Sequence, residues 1–366
     1  MKTIYDIYIY CFLLIMIGIF YSSSLRTNTL TDWECASDNY SEQENEYRLR
    51  ELEKAVLRAK IWKIHTSDGL FEMSENAVEN GLQNMIESFK EIGILVSIYD
   101  TENIYNDSLY YFGYNGRPFY LMENNSVDSL INFFYLPNID YTDGSMTGYG
   151  FAFNTPGNEL FVAGNECKYV ADDIVCYDLA NTFIPTHELG HCLGLLHTHP
   201  GSNGEENVIR PHDEQIETCN VNCEETGDLL CDTEASISLR NRVIFDGDTC
   251  TYTSDETDEC GYEYQPQVDN FMSYTHFGCA GAFTSQQVNK MFNTIGNNNV
   301  ISQVVVDIGD INDDSSINVV DAIILVDVIL YQDHVNDLNL WLGDLNNDES
   351  LDVNDVVSLI SIILEG

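Results

Sequence analysis

Four of the chain's eight histidines lie within thirteen residues, HELGHCLGLLHTH, from His187 to His199. His187 and His191 are four residues apart, so on a helix both imidazoles project from one face and can hold one metal ion. If that helix ends at Gly194, where glycine readily adopts a left-handed conformation, the chain turns back and His197 supplies a third nitrogen. Three neutral imidazoles leave one tetrahedral position for water, which indicates a catalytic zinc site.

Glu188 directly follows the first of these histidines, so we expect it beside the open position on the metal. Zinc lowers the pKa of its bound water to near neutrality, and Glu188 would accept the proton as that water attacks a peptide carbonyl. The pattern HExxH alone also fits an ordinary helix, but Gly194 and His197 at fixed offsets argue against coincidence. His199 is expected to be a surface residue beyond the third ligand.

The elements that must position this motif are predicted from apolar periodicity. Residues 74–92 have apolar positions at helical spacing and predict a helix, whereas the charged run RLRELEKAVLRAK before it also indicates a helix. Strands are predicted at 59–65, 93–99 and 129–136, with two more between 148 and 164. Asn181 or Thr182 is expected to cap the motif helix, with Pro185 in its first turn. A mixed sheet with one backing helix would thus precede the motif helix.

The motif resembles the signature HExxHxxGxxH of the metzincin metalloproteases, matched here at His187, Glu188, His191, Gly194 and His197. The resemblance implies an α+β fold of the zincin type, in which a twisted mixed sheet and a backing helix support the active-site helix. It also implies one catalytic zinc ion and peptide bonds of proteins as substrate.

NFMSYTHFGC at 270–279 resembles the methionine turn of the same group, which implies Met272 beneath the metal and Tyr274 near the substrate, where its hydroxyl would stabilise the oxyanion. NCEETGDLLCDT and the later FTSQQVNKMF resemble the pappalysin-like (M43-type) metzincins in particular. The resemblance covers residues 56–295 and departs from the family at Glu234, where proline is usual.

The C-terminal sequence contains a duplicated unit, GDINDDSSINVVDAIILVDVIL from Gly309 and GDLNNDESLDVNDVVSLISIIL from Gly343, aligned without gaps. Oxygen-bearing side chains recur at spacings that wrap a calcium ion, and each loop opens into an apolar helix. Two acidic helices without metal would not explain the repeat. The predicted calcium ligands are Asp310, Asn312, Asp314, Ser316, Asn318 and Asp321, then Asp344, Asn346, Asp348, Ser350, Asp352 and Asp355.

This duplicated unit resembles a type I dockerin, a small all-α module that binds two calcium ions. Its sixth loop position carries Ser315 and Glu349 instead of glycine. A non-glycine residue in a left-handed conformation costs roughly 1–2 kcal/mol, so we expect reduced calcium affinity. Dockerins bind cohesin modules, which implies a cohesin-type partner, with attachment to another assembly as the alternative. The residues that differ from the polar recognition face of well-known dockerins are Val319, Val320, Val353 and Asn354.

Composition indicates an exported protein. The 366 residues include 60 Asp+Glu against 15 Lys+Arg, a balance that repels nucleic acid and anionic membranes and favours basic proteins or divalent cations. An apolar block from Ile7 to Tyr21, followed by three serines, predicts a cleaved signal peptide, with an uncleaved anchor as the alternative. Ten cysteines remain once Cys11 is removed with the signal, a number typical of secreted disulfide-bonded domains.

The family resemblance implies disulfides that join Cys223 to Cys250 or Cys260, and Cys279 to the other. Cys167 and Cys176 are close enough in sequence to close a small loop. The spacing alone does not fix any of these pairings. Cys192, on the motif helix, is expected to be a small buried hydrophobe.

Two further features have alternative interpretations. Cys35 lies upstream of the catalytic region, where it either forms a disulfide or occupies the open zinc position and keeps a precursor latent. Asp228, Asp232 and Thr233 form either a structural calcium site, as in related enzymes, or an acidic loop in solvent.

The sequence therefore predicts a secreted zinc-dependent endopeptidase docked through its C-terminal module. The alternatives are a catalytically inactive zinc- and calcium-binding adhesion or scaffold protein, and a protein that acts chiefly as an anchor. The predicted organisation is a signal peptide (1–24), a leader or pro-segment (25–55), a metzincin domain (56–298), a linker (299–306) and a dockerin-like domain (307–366).

Overall fold

The structure, a computed structural model, describes residues 54–69, 73–110, 117–136, 139–140, 147–170, 173–201, 203–211, 219–331 and 336–365. The predicted signal peptide, nearly all of the leader, and Cys35 lie outside the described residues. Two compact units are present. We call the described residues of 54–196 and 282–365 the sheet unit, and His197–Gly281 the disulfide unit.

In chain order the strands are β1 (Ala55–His65), β2 (Ile94–Tyr105), β3 (Ile131–Leu136), β4 (Ile139–Asp140), β5 (Thr147–Gly148), β6 (Gly150–Ala152), β7 (Glu159–Ala163), β8 (Asn165–Val170), β9 (Asp173–Asp178), β10 (Val243–Phe245), β11 (Cys250–Tyr252) and β12 (Val305–Val306). The α-helices are α1 (Glu75–Lys90), α2 (Asp107–Tyr110), α3 (Arg117–Asn125), α4 (Ile184–Cys192), α5 (Ser285–Asn297), α6 (Val319–Tyr331), α7 (Asp337–Gly343) and α8 (Val353–Glu365), with 3₁₀ turns at Leu179–Asn181 and Ile301–Val304. None of the helices in the described part of the chain has the length and apolar character of a membrane span.

The sheet unit is built on a mixed six-stranded sheet, as the sequence predicts. β1 is parallel to β2 and β3, and β3 is parallel to β7, whereas β6 runs antiparallel to β7 and β12 runs antiparallel to β1. Because β2 pairs along the whole of β1, β3 and β12 share the other side of β1. Four aromatic rings stack across neighbouring strands: Trp62, Phe134, Phe161 and Phe151, with successive centroids 5.9, 4.9 and 4.5 Å apart. This ladder fixes the register of the strands that lead to β6.

The strand predicted at 59–65 begins earlier, at Ala55, so the helix expected for residues 55–58 is wrong. Val56, Leu57 and Ala59 are buried, and the strand buries side chains on both faces, as the middle of a parallel sheet requires. Arg58, which looks like a surface residue of a helix, donates hydrogen bonds to Asp313 instead. The pair between Arg58 and Asp313 therefore suits a strand, although the local charge pattern predicts a helix.

Helix α1 confirms the predicted backing helix. Ser74 caps it, because its hydroxyl accepts a hydrogen bond from the amide of Ala77 at 3.3 Å. The helix packs against the 3₁₀ turn Leu179–Asn181 and against α4. Gly81 permits this contact, since a Cβ at that position would lie 1.8 Å from the carbonyl oxygen of Ala180.

The C-terminal part of the sheet unit packs against the sheet. Residues 299–306, which the sequence assigns to a linker, form the 3₁₀ turn and β12, and Ile301 and Val304 are fully buried. Val56 of β1 and Leu95 of β2 share one hydrophobic cluster with apolar residues of the duplicated segment. The members from that segment are Ile311, Ala322, Leu325, Leu342 and Leu359.

The disulfide unit has little regular structure apart from the hairpin of β10 and β11. Three disulfides, Cys219–Cys260, Cys223–Cys231 and Cys250–Cys279, hold its loops. The buried carboxylate of Asp258 accepts hydrogen bonds from the amides of Val208, Cys260 and Tyr262. Cross-links and side-chain caps thus replace the hydrogen bonds of a sheet.

Candidate metal and catalytic site

Helix α4 carries the HExxH motif and is buried along its whole length. Pro185 lies in its first turn, as predicted, but Phe183 takes the N-cap position expected for Asn181 or Thr182. The Thr182 hydroxyl still accepts a hydrogen bond from the amide of Ile184 at 3.3 Å. All nine residues of α4 are buried, because the helix packs against β6, β7 and α1.

Gly194 ends this segment in the way the sequence predicts. Its φ is +90°, and the amides of Gly194 and Leu195 donate to the carbonyls of His191 and Gly190 at 2.9 and 3.0 Å. These two bonds define a Schellman turn, which reverses the chain after a helix. A Cβ on Gly194 would lie 2.6 Å from the hydroxyl of Thr294, so space as well as backbone conformation requires glycine.

The three predicted zinc ligands come together. The candidate ligand atoms of His187, His191 and His197 all lie within 4.8 Å of one another. The Nε2 atoms of His187 and His191 are 3.1 Å apart. A tetrahedral zinc ion with Zn–N distances of about 2.0–2.1 Å separates its nitrogens by about 3.3 Å. The residues present therefore fit a zinc ion.

The protonation state of His191 also suits a metal ligand. Burial lowers the pKa of His191 to about 4, so the imidazole is neutral at physiological pH. Its Nδ1 lies 2.7 Å from the carbonyl oxygen of Leu195, which accepts a hydrogen bond from the Nδ1–H tautomer. Nε2 is then left with its lone pair toward His187, as metal binding requires.

Glu188 is completely buried and packs against the edge strand of the sheet. A Cβ on Gly150, the first residue of β6, would lie 2.6 Å from Oε1 of Glu188 and 2.7 Å from Cγ2 of Ile184. The carboxylate therefore lies directly against the backbone of β6. The sequence analysis did not find Gly150, because nothing in the local pattern GYGFAF shows which strand meets α4.

The predicted methionine turn lies in the disulfide unit. Met272 is fully buried and Tyr274 is 8% exposed. The carbonyl of Met272 accepts a hydrogen bond from the amide of Thr198 at 3.2 Å, which ties the turn to the segment of His197. The ring centroids of His197 and Tyr274 are 4.7 Å apart.

His199 is not the isolated surface residue that the sequence predicts. Its ring is half-buried and lies 4.2 Å from the ring of Tyr274 and 4.9 Å from that of His197, centroid to centroid. The contact with Tyr274 is formed across 75 positions of sequence, so the motif alone could not reveal it.

Asp228 and Thr233 of the predicted acidic loop are buried, and Asp228 interacts with a buried carboxylate, that of Glu206, which the sequence did not indicate. The hydroxyl of Thr233 donates to Oδ1 of Asp228 at 2.9 Å. Glu206, also buried, forms an ion pair with Arg210 at 3.1 Å. Burial raises the pKa of Glu206 to about 8 and that of Asp228 to about 7. The third predicted residue, Asp232, is partly exposed.

The disulfides correct one pairing and confirm another. Cys223 pairs with Cys231, eight residues away, and not with Cys250 or Cys260. Cys279 pairs with Cys250, one of the two partners expected. Cys192 is buried and not disulfide-bonded, as expected. The backbone register of β8 and β9 sets Cys167 opposite Cys176, and their pairing stays a prediction.

The two predicted calcium loops have the same hydrogen-bond pattern. In the first, Asp321 accepts from the amides of Ile311 and Asn318 at 2.9 and 2.8 Å. In the second, Asp355 accepts from the amides of Leu345 and Asp352 at 3.0 and 2.9 Å. The carboxylates of Asp310, Asp321, Asp344 and Asp355 belong to buried residues, whereas the remaining predicted ligands, Asn312, Asp314, Ser316, Asn318, Asn346, Asp348, Ser350 and Asp352, lie nearer the surface.

Both loops have a left-handed backbone at the sixth position, a conformation that is costly for residues other than glycine. Ser315 and Glu349 have φ values of +66° and +64°, as expected for the sixth loop position. Asp313 and Asn347, two residues earlier, are also left-handed at +54° and +58°. Asp310 accepts hydrogen bonds from the amides of Asp314 and Ser315, which holds the loop in this conformation.

A sequence profile of a peptidase family, Peptidase_M43, described as pregnancy-associated plasma protein-A, matches residues 130–296. That segment contains the three histidines, Glu188 and the methionine turn. Residues 130–296 are therefore similar to this pappalysin-type family. The candidate zinc ligands and Glu188 thus lie in the part of the chain that is similar to the family.

Pappalysin-1 of Homo sapiens is 29% identical over 119 residues, and that of Mus musculus is 31% identical over 119 residues. These alignments cover 30% of this chain and 6% of each relative. Among solved structures, mature mirolysin of Tannerella forsythia in complex with a cleaved peptide has 14% identity and a TM-score of 0.45, over 69% of this chain and 95% of mirolysin. Metalloproteinase-II of Bacteroides fragilis has 14% identity and a TM-score of 0.31, over 47% of this chain and 49% of that one.

Proposed function

We propose that the protein is a secreted zinc-dependent endopeptidase that hydrolyses peptide bonds of proteins. The observation that carries this proposal is the arrangement of His187, His191 and His197. Two Nε2 atoms lie 3.1 Å apart, one ligand is held in a neutral tautomer, and the third ligand follows a glycine-dependent turn. The family relationship of residues 130–296 supports the same activity.

The residues around the metal have distinct roles in this proposal. When bound, the zinc ion supplies a Lewis acid that polarises the peptide carbonyl and acidifies a water molecule. Glu188 accepts the proton of the attacking water and later transfers it to the leaving amine. Tyr274 donates a hydrogen bond from its hydroxyl to the oxyanion. Met272 supports the site from within the core, where it is fully buried.

The test is Glu188→Gln in the full chain. The amide keeps the shape of the side chain but cannot act as a base, so this variant should bind one zinc ion and lose peptide hydrolysis. Zinc content would be measured by mass spectrometry of the metal, and activity by digestion of casein with and without 1,10-phenanthroline. A wild-type protein that binds zinc but digests no peptide in a proteome-derived library would favour the alternative, an inactive adhesion or scaffold protein.

We also propose a structural calcium ion in the disulfide unit, bound by Asp228 with Asp232 and Thr233. Asp228 and Glu206 are buried and their carboxylates repel each other, and Glu206 pairs with Arg210 at 3.1 Å. Calcium binds carboxylate and carbonyl oxygens and offsets the cost of burying such charges. The burial of Asp228 and Thr233 favours this interpretation over an acidic loop in solvent.

In the duplicated segment, two further calcium ions would bind the two acidic loops. The loops carry matching hydrogen-bond networks, and each precedes a 13-residue helix, α6 or α8. We propose that this segment is a dockerin-like module and that its partner is a cohesin-type protein. Apolar side chains that are exposed at equivalent positions of the two helices support a docking role. These pairs are Val319 with Val353, Ile323 with Val357, Val326 with Ile360, and Leu330 with Leu364.

The docking proposal is tested with the full chain. Ile323→Asp and Val357→Asp place a charge in each exposed apolar face and should weaken binding to a cohesin module in a pull-down. Lys90→Ala, which removes an exposed ion pair with Asp337, is the control. Equal binding by all variants would exclude these faces as the interface.

Secretion follows in this proposal from the predicted signal peptide and from three disulfides among the described cysteines. The leader would then be removed on maturation. If Cys35 keeps the precursor latent, Cys35→Ala should yield an active unprocessed chain, whereas a disulfide role predicts a precursor of unchanged latency.

A further inference from the structure

Tyr274 is held by rings from a distant segment of the chain. It is 8% exposed, so its side chain is packed on most sides. The ring of His199 lies against that of Tyr274, with centroids 4.2 Å apart and an interplanar angle of 51°. His197 meets the same ring at 4.7 Å in an edge arrangement. Arg240 lies further away, with its guanidinium 6.0 Å from the ring centroid.

The segment that carries His199 is itself fixed to the methionine turn. The amide of Thr198, between the two histidines, donates to the carbonyl of Met272 at 3.2 Å. On the other side, the hydroxyl of Ser273 donates to the carbonyl of Asn270 at 2.7 Å. The backbone on each side of the contact between His199 and Tyr274 is therefore anchored by a hydrogen bond.

The direction of a tyrosine hydroxyl depends on two side-chain torsions, and these are restricted only by the groups that touch the ring. His199 and His197 are stacked on each other at 4.9 Å and 22°, and both touch Tyr274. His197 is committed to the metal by its ligand atom. The ring of His199, by contrast, is positioned by its packing against the rings of His197 and Tyr274.

We infer that His199 is a positioning residue for Tyr274, which keeps the phenol directed toward the oxyanion of the substrate. This inference rests on the proposed peptidase function and on the role of Tyr274 in it. Since a misplacement of about 1 Å in a catalytic group can cost up to 100-fold in rate, loss of the His199 ring should lower kcat by about tenfold or more. KM should change little, because the ring contact acts on the transition state through Tyr274.

The experiment is a double-mutant cycle on the full zinc-loaded chain. We expect His199→Ala and Tyr274→Phe each to lower kcat, and the double variant to be no slower than Tyr274→Phe alone. His199→Phe keeps an aromatic ring in the same place and should restore most of the rate. A purely structural role predicts a lower melting temperature with multiplicative effects on kcat, and that result would overturn the inference.

His65→Ala is the matched control. The ring of His65 lies 5.0 Å from that of Tyr105, so this variant also loses a histidine–tyrosine contact, but in the strands β1 and β2. Its kcat should stay at the wild-type value. Zinc affinity is measured for every variant, because a drop in zinc occupancy that accounts for the slower rate of His199→Ala would also overturn the inference.

The outcomes separate this inference from the proposed function. A wild-type chain without chelator-sensitive hydrolysis refutes the peptidase proposal itself. An active wild type in which Tyr274→Phe retains full kcat, or in which His199→Ala slows Tyr274→Phe further, refutes the positioning role alone.

Discussion

Replacing Gly150 with alanine tests whether the backbone of β6 sets the position of the general base. The added Cβ would lie 2.6 Å from Oε1 of Glu188 and 2.8 Å from its Cγ. It would also lie 2.7 Å from Cγ2 of Ile184, so the new methyl group is confined on two sides. Glu188 and Ile184 are both fully buried, which leaves neither side chain an open direction in which to move.

The expected magnitude follows from these distances. An ordinary van der Waals contact begins near 3.4 Å, so Oε1 of Glu188 must move by about 0.8 Å, or β6 must shift by a similar amount. A displacement of about 1 Å in a catalytic group can cost up to about 100-fold in rate, so we expect kcat to fall by about 10-fold to 100-fold. Overpacking of a buried site should also lower the free energy of unfolding by about 1–3 kcal/mol. Zinc binding should persist, since the three atoms nearest to the added Cβ belong to Glu188 and Ile184 and not to the histidines.

The assay compares kcat, KM, zinc content and melting temperature for Gly150→Ala, Gly281→Ala and the wild type. Gly281 is the matched control, because a Cβ there meets nothing within 4 Å. We expect wild-type kinetics for Gly281→Ala and a selective loss of kcat for Gly150→Ala. Full activity in Gly150→Ala, or a loss that parallels loss of zinc, would refute the claim that β6 positions Glu188.

Three other predictions concern calcium and the C-terminal segment. The pKa values of about 8 for Glu206 and about 7 for Asp228 exceed the ordinary carboxyl values near 4. When EGTA has removed calcium, the folded chain therefore keeps two protons that the unfolded chain releases. The free energy of unfolding should therefore fall as pH rises from about 5 to 8, by up to about 1.4 kcal/mol per pH unit for each group. Calcium should reduce this dependence on pH. A melting temperature that does not change with pH in the absence of calcium would contradict the prediction. Asp321→Asn and Asp355→Asn should each remove one calcium ion per chain in equilibrium dialysis, and unchanged stoichiometry would exclude these loops. Deleting the chain after Val304 uncovers apolar surface of the first two strands and should destabilise the protein by about 3–6 kcal/mol in urea, whereas an unchanged midpoint would show that the segment is only tethered.

The zinc ligands could be predicted from sequence because their geometry is local. His187, His191 and His197 lie within eleven consecutive residues, and one helix with one glycine turn determines how they meet. The left-handed residues Ser315 and Glu349 were predictable for the same reason, since a short loop fixes its own backbone.

Features that depend on tertiary contacts were not predictable. Gly150 meets Glu188 only after the sheet orders its strands, and His199 meets Tyr274 across a long separation in sequence. Spacing did not show that Cys223 would pair with Cys231. The sequence around the start of β1 resembles the surface of a helix because basic and acidic residues alternate in it. Arg58 nevertheless pairs with Asp313, which lies 255 residues later in the chain.

That last contact bears on the order in which the molecule assembles. Val56 lies near the start of β1 and pairs with Val306 of β12. It shares a hydrophobic cluster with residues that come still later in the chain, such as Leu325 and Leu359. Contacts between such distant residues form late, because closing a long loop costs entropy before any contact repays it. A chain in synthesis lacks β12 and the helices that cover this corner of the sheet until residues 305–365 have been made. Completion of the sheet unit therefore waits for residues 305–365.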